Sequence, residues 1–192
     1  SYAALLLFYP YEPVYLPNGQ YNVTHEGYSP LEGTDHNPSF LDRLATFSSF
    51  FGEANFFKYL TIKSLVGINY NTLNQENYLQ PGSNLANILG YNQKTDGGNR
   101  DYTTVWTNTA DWKQTLSDKH NINVLAGHEF TKNKFYSFSL AGRNLPSATY
   151  TTLDVAGSAQ TATTSRSDWS LESWFGQATY DYAKKYFVSL NG

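Results

Sequence analysis

The stretch from Val105 to Phe130, VWTNTADWKQTLSDKHNINVLAGHEF, decides the fold. Before the break at Ser117-Asp118-Lys119-His120, Thr107, Thr109, Asp111, Lys113 and Thr115 share one face of an alternating run. Trp106, Ala110, Trp112 and Leu116 share the other. After the break, Ile122, Val124, Ala126 and Phe130 oppose Asn121, Asn123, Gly127 and Glu129. A period of two marks a strand with one apolar face. Two such runs joined by a short polar break read as an antiparallel hairpin.

The design recurs on either side. Around Phe57-Lys58-Tyr59, Phe50, Ala54 and Phe56 oppose Glu53 and Asn55. Leu60, Ile62, Val66, Ile68 and Tyr70 then oppose Thr61, Lys63, Gly67, Asn69 and Asn71. Around Ala183-Lys184-Lys185, Trp174, Ala178, Tyr180 and Tyr182 oppose Ser173, Gln177, Thr179 and Asp181, and Tyr186, Val188 and Leu190 follow. The pattern predicts strands over 45–58, 60–73, 102–116, 121–135, 169–182 and 186–192. Residues 1–44, broken by Pro10, Pro13, Pro17, Pro30 and Pro38, read as irregular. Residues 74–100 and 142–165 read as long loops, with Gly97-Gly98 as a flexible turn.

Composition narrows the class. Aromatic residues make up 17% of the chain and charged ones only 15%, against about a quarter charged in ordinary soluble domains. Tyr and Trp in such numbers suit surfaces that are part apolar and part wet. There is no cysteine, hence no disulfide or thiolate metal site, and a net charge of -3 leaves no electrostatic footprint for nucleic acid. No apolar run reaches the roughly 18 residues of a membrane helix, and Ala3–Phe8 is too short and lacks the basic flank of a signal peptide. The chain begins without Met and ends within an alternating run, and it reads as an internal segment of a longer protein.

Two architectures produce this alternation. One is a soluble, secreted β-sandwich, using exposed tyrosines to hold carbohydrate. The other is an antiparallel up-and-down transmembrane β-barrel with long extracellular loops. Three features favour the barrel: strands of about ten residues or more, aromatics gathered near the short turns, and long connections at one end only.

Asp118–Glu129 resembles a turn and strand of the SusC/RagA-type TonB-dependent outer-membrane transporters, with its His-Asn pair leading into Leu125-Ala126-Gly127 and an acidic residue. Trp174–Tyr182 followed by Lys185–Leu190 resembles that family's late aromatic-Gly-x-x-x-Tyr-x-Tyr hairpin, with Gln177 where the family usually has Arg. Pro13–Tyr21 and Asn37-Pro38 with Leu41–Leu44 resemble the extracellular loop before a barrel strand. The resemblance implies about six strands of a barrel of about 22 in the bacterial outer membrane, with 1–44 as an extracellular loop region and 45–192 as barrel. It also implies uptake of a glycan or peptide, with a SusD-like surface lipoprotein and the TonB complex as partners. The plug and TonB box that couple transport to energy would lie outside this segment.

Catalysis is not expected: no G-x-S-x-G, P-loop or G-x-G-x-x-G occurs, and the carboxylates are dispersed. No cofactor or metal is expected, since His25, His36, His120 and His128 lack ligand spacing. The candidate residues are of two kinds. Lys63, Asn69, Asp111, Lys113, Asn123, Glu129 and Asp181 fall on polar strand faces; a solvated sheet face is the commoner reason for such residues, and in a barrel they would line the lumen. Tyr78, Tyr91, Tyr136 and Tyr150 are loop aromatics that would meet substrate or partner, or simply fold their own loops.

Overall fold

A computed structural model of the chain describes residues 11–23 and 29–192. The run Ala3–Phe8 and the pair His25-Glu26 lie outside them. The turns set the architecture. Phe57 and Lys58, Ser117 and Asp118, and Ala183 and Lys184 all have φ between 51° and 68°. Each turn is closed by an N–H three residues on: Tyr59 to Phe56 O at 3.4 Å, Lys119 to Leu116 O at 3.3 Å, and Lys185 to Tyr182 O at 2.9 Å. Two successive positive φ angles give the type I′ twist that matches paired strands.

None of these residues is glycine, and a left-handed L-residue costs about 1–2 kcal/mol. Ser117→Asn with Asp118→Gly is therefore expected to raise stability by about 1 kcal/mol, read as a higher urea midpoint. An unchanged or lower midpoint would show that this turn carries no relievable strain.

Six strands follow from these turns: β1 (Ser39–Phe56), β2 (Leu60–Leu79), β3 (Gln93–Leu116), β4 (His120–Arg143), β5 (Ser158–Tyr182) and β6 (Tyr186–Asn191). They form one sheet in the order β1-β2-β3-β4-β5-β6. β5 and β6 pair antiparallel from Tyr182↔Tyr186 to Gln177↔Asn191. The fold is thus an all-β, antiparallel, up-and-down sheet. Among the described residues there is no second sheet to complete a sandwich, and no helix long and apolar enough to cross a membrane.

The strands are longer than alternation alone predicts. β1 begins at Ser39, straight after Pro38, and not at 45. β2 runs to Leu79, β3 starts at Gln93 with Gly97-Gly98 inside it, and β5 starts at Ser158. The supposed loops are partly sheet, because Asn-, Thr- and Gly-rich segments pair through their backbones without an apolar face to advertise it. What remains of them carries two short helices, α1 (Pro30–His36) and α2 (Asn84–Leu89), and a 3-10 turn at Leu153–Val155. His120, read as a turn residue, opens β4.

The chain divides into two compact units. Among the described residues, unit 1 comprises those up to Arg43 with 72–99 and 136–165; unit 2 comprises 44–71, 100–135 and 166–192. Of the segments read as irregular or loop, 29–43, 74–99 and 142–165 fall in unit 1. Its pieces are tied by polar contacts. Ser29 caps α1 by accepting from Glu32 N, and Ser83 caps α2 by accepting from Ala86 N. Buried Glu32 joins the helices, its Oε1 accepting from Asn84 N at 2.8 Å and facing His36 Nδ1 at 3.0 Å. Asn92 clamps the 144–157 loop, donating to Leu145 O and accepting from Leu145 N. All the buried hydrophobic residues described, Tyr78, Ala86, Leu145 and Ala156, lie in unit 1.

Candidate functional site: a sheet with two unlike faces

Unit 2 is sheet without a core, and its two faces differ in chemistry. On one, side chains from three strands form a hydrogen-bonded line. Thr115 donates to Asn121 Oδ1 at 2.7 Å, Asn121 donates to Asp181 Oδ1 at 2.9 Å, and the same oxygen accepts from Lys184 N at 3.1 Å. Asp181 thereby anchors the third turn as well as the face. Further along, Thr107 donates to Glu129 Oε2 at 3.0 Å, and Asn133 donates to Asp101 and Thr103. Lys113 pairs with Asp111. Lys63 Nζ lies 4.9 Å from the Phe51 ring centroid, and Asn69 is exposed. Asp111 Oδ1 and Asn123 Oδ1 are covered and have no donor, an arrangement that costs about 1–3 kcal/mol per group unless a donor arrives.

The opposite face is apolar. Ile62, Ala110, Val124, Ala126, Ala178 and Leu190 line an open depression of about 820 Å³, together with His128 and Trp174. Its floor is shallow-walled because the residues across it are small; Gly176 exchanges both backbone hydrogen bonds with Gly192 at 2.7 and 3.0 Å. Ile62, Val124, Val188 and Leu190 are 38–69% exposed, and Trp174 is 75% exposed. Aromatic groups bound this face at two levels. Near the turns, His120 Nδ1 and the Tyr180 hydroxyl are 2.7 Å apart, and its ring meets Tyr182 at 5.0 Å. Farther along β4, the His128 ring packs on Trp174 at 4.4 Å while Nε2 meets Glu172 at 2.9 Å. Eight residues separate the two histidines, about 27 Å of strand at ~3.4 Å per residue.

The candidate tyrosines fall in unit 1, and two are not loop residues. Tyr78 lies in β2 and Tyr136 in β4. Tyr78 is 6% exposed and donates its hydroxyl to Tyr150 O at 2.8 Å, so it holds the 144–157 loop. Tyr136 stacks on Phe138 at 6.3 Å. Tyr150 is half exposed. Tyr91 lies 3.9 Å beneath the Arg143 guanidinium, which also donates to Gln93 Oε1 at 2.9 Å. Arg143, Gln93, Thr95 and Asn77 were not singled out in the sequence, since they sit in segments read as loop.

Beside them, buried Lys94 bridges Glu76 and Asp96 at 2.8 and 3.0 Å. Burial works against its charge, but hydrogen bonds to Glu76 and Asp96 outweigh that and hold its pKa above the usual lysine value. Tyr21 donates to Asp35, and that hydrogen bond, with the nearby negative charge, holds the phenol well above its ordinary range. Among the described residues no cluster of His, Asp and Glu could hold a metal.

No protein-family model and no curated protein matches the sequence. Solved structures do match it. The RagAB peptide transporter aligns over 91% of this chain and 20% of that chain, with a TM-score of 0.79 at 16% identity. The RagAB peptide importer in its 'closed-closed' and 'open-open' states aligns over the same shares at the same identity, with TM-scores of 0.78 and 0.77. The chain therefore spans about one fifth of the chains it matches. At this identity the likeness is one of fold: six antiparallel strands arranged as in a segment of a peptide transporter.

Proposed function

We propose that this chain is a wall segment of an outer-membrane β-barrel that imports an oligomeric nutrient, glycan or peptide. One observation carries the reading. Unit 2 leaves the apolar face of a hydrogen-bonded sheet without any protein core, while its other face carries a connected polar network. A soluble domain buries the first face; a barrel turns it to lipid and the second to its interior. The nine residues from His120 to His128 suit a membrane crossing, which takes about 9–11 tilted strand residues. The aromatic groups at both ends suit the two interfacial girdles of such a barrel.

On this reading Ile62, Val124, Val188 and Leu190 meet lipid. Lys63, Asn69, Asp111, Lys113, Asn123, Glu129 and Asp181 face the interior, where the donorless oxygens of Asp111 and Asn123 would be met by whatever fills the barrel. Unit 1 forms the extracellular part, next to a SusD-like lipoprotein, and TonB supplies the energy. The chain does no covalent chemistry of its own.

The test uses the intact parent protein in cells lacking it. Residues 81–91, which carry α2 but no strand, are replaced by a short Gly-Ser link. Heat-modifiable, membrane-inserted barrel should persist, while uptake of labelled oligosaccharide or peptide should fall at least severalfold. A wild-type protein that stays in the soluble fraction would overturn the proposal, and so would uptake unaffected by loss of the loop.

A further inference from the structure

Unit 1 holds a cavity of about 250 Å³ at the ends of three strands. Below the ~300–1,000 Å³ of sites for drug-sized ligands, it has room for one ring and not for an oligomer. Pro38, Leu79 and Leu85 give it apolar walls, Tyr91 an aromatic one, and Tyr78, its hydroxyl already donated to Tyr150 O, completes the lining. The Tyr91 ring is held from one side by Arg143, so its orientation is set before any ligand arrives. The polar lining is Asn37, Ser39, Asn77, Gln93 and Thr95, and no lining residue carries a charge.

The hydrogen bonds within this lining leave a defined remainder. Asn77 uses only Oδ1, which accepts from Ser39 Oγ at 2.7 Å and from Gln75 Nε2 at 3.4 Å, so both Nδ2 hydrogens are unspent. Gln93 spends Oε1 on Arg143 and one Nε2 hydrogen on Thr95 Oγ1 at 3.0 Å. The second Nε2 hydrogen and the Thr95 hydroxyl hydrogen remain. The Ser39 and Thr95 hydroxyl oxygens and the amide oxygens of Gln93 and Asn37 each keep capacity to accept, since each has two lone pairs and spends at most one. The cavity therefore offers neutral donors and neutral acceptors side by side, with an aromatic plate.

We propose that this cavity is a subsite for a single uncharged sugar ring of a glycan, an inference that rests on the transporter reading. Ring hydroxyls and the ring oxygen supply acceptors, one hydroxyl donates to Ser39, and the C–H face of the ring packs on Tyr91. No lining residue is a cation, and the neighbouring cation Arg143 is already engaged by Gln93 and the Tyr91 ring, so the desolvation of a uronate, phosphate or peptide carboxylate would go largely uncompensated.

The test is binding by the purified, membrane-extracted parent protein to an array of neutral glucans, mannans, galactans and xylans, with neutral peptides and oligogalacturonate alongside. Thr95→Val and Asn77→Leu are the variants. Each should weaken the bound neutral glycan roughly tenfold, and no oligogalacturonate should bind. Barrel assembly, checked by heat-modifiable mobility, should be unchanged in both. Unaltered glycan affinity in assembled variants would remove the site. Neutral peptide bound in place of glycan and weakened by the same changes would overturn the assigned class, as would binding of nothing on the array. A parent that never inserts in the membrane, yet binds glycan through these residues, would instead sink the transporter reading alone.

Discussion

Val124→Arg in the intact parent is expected to remove most of the folded protein from the outer membrane. Val124 lies on the apolar face of β4 and is 38% exposed, beside Ala126 and Ala178 in the same open depression. Placed against lipid near the bilayer midplane, an arginine there costs about 2–4 kcal/mol, a large part of the roughly 5–15 kcal/mol that stabilises a folded protein. Two companions separate lipid from a packed core. Val124→Trp should assemble almost normally, because lipid chains rearrange around a larger side chain, whereas a close-packed core would lose about 1–3 kcal/mol to overpacking. Gln177→Arg, on the polar face of β5 opposite Asn191, should also assemble. Urea unfolding in lipid vesicles gives the three values. If Val124→Trp proves as damaging as Val124→Arg, the apolar face meets protein, and its assignment to lipid fails.

The sequence shows this fold wherever one strand face is apolar, and hides it where neither is. Val105–Thr115 and Ile122–Phe130 could be read strand by strand because Trp106, Ala110 and Trp112 recur every second residue opposite threonines. The start of β3 could not: Gln93–Arg100 carries no apolar alternation, and its pairing is a property of the neighbouring backbones. The end of β4 does alternate, with Tyr136, Phe138 and Leu140 opposite Ser137 and Ser139, and that signal extends the strand past 135. The helices had legible signals that were outweighed by the prolines and loop composition around them. Ser29-Pro30-Leu31-Glu32 has the Ser-x-x-Glu spacing of a capping box with proline in the first turn, and Ser83 precedes α2, which ends at Gly90 in the left-handed conformation. Of the candidate residues, Asp111, Lys113, Glu129 and Asp181 announced themselves as charges on a polar face. Tyr78 looked like a loop aromatic, because nothing local reveals that its hydroxyl is taken by Tyr150 O, 72 residues away. The cavity residues Asn77, Gln93 and Thr95 come together only once β2 and β3 are known to extend so far.

Gly98→Ala is expected to destabilise unit 1 by about 1–3 kcal/mol, although in the sequence Gly97-Gly98 looks like a turn that would tolerate a methyl group. A Cβ at 98 would sit 2.6 Å from Leu73 O, 3.0 Å from Asn74 Oδ1 and 3.1 Å from the Phe138 ring. The first contact decides the outcome. Leu73 O is backbone in the neighbouring strand β2, so relief requires moving the strand itself and not swinging a side chain aside. Glycine inside a strand marks such a close approach. Gly97→Ala should be milder, since its nearest atom, Phe138 O, lies at 3.3 Å. Gly52→Ala, with nothing within 4 Å, should be neutral or slightly stabilising, because alanine loses less backbone entropy on folding. Amide exchange would localise the effect, with faster exchange in Gly98→Ala over 72–79 and 93–99 and little change over 120–135. The double change Gly98→Ala with Phe138→Ala should not restore protection, because it clears the ring and leaves the carbonyl in place. Full recovery in that double variant would show that the ring, and not the closeness of the two strands, requires glycine at this position.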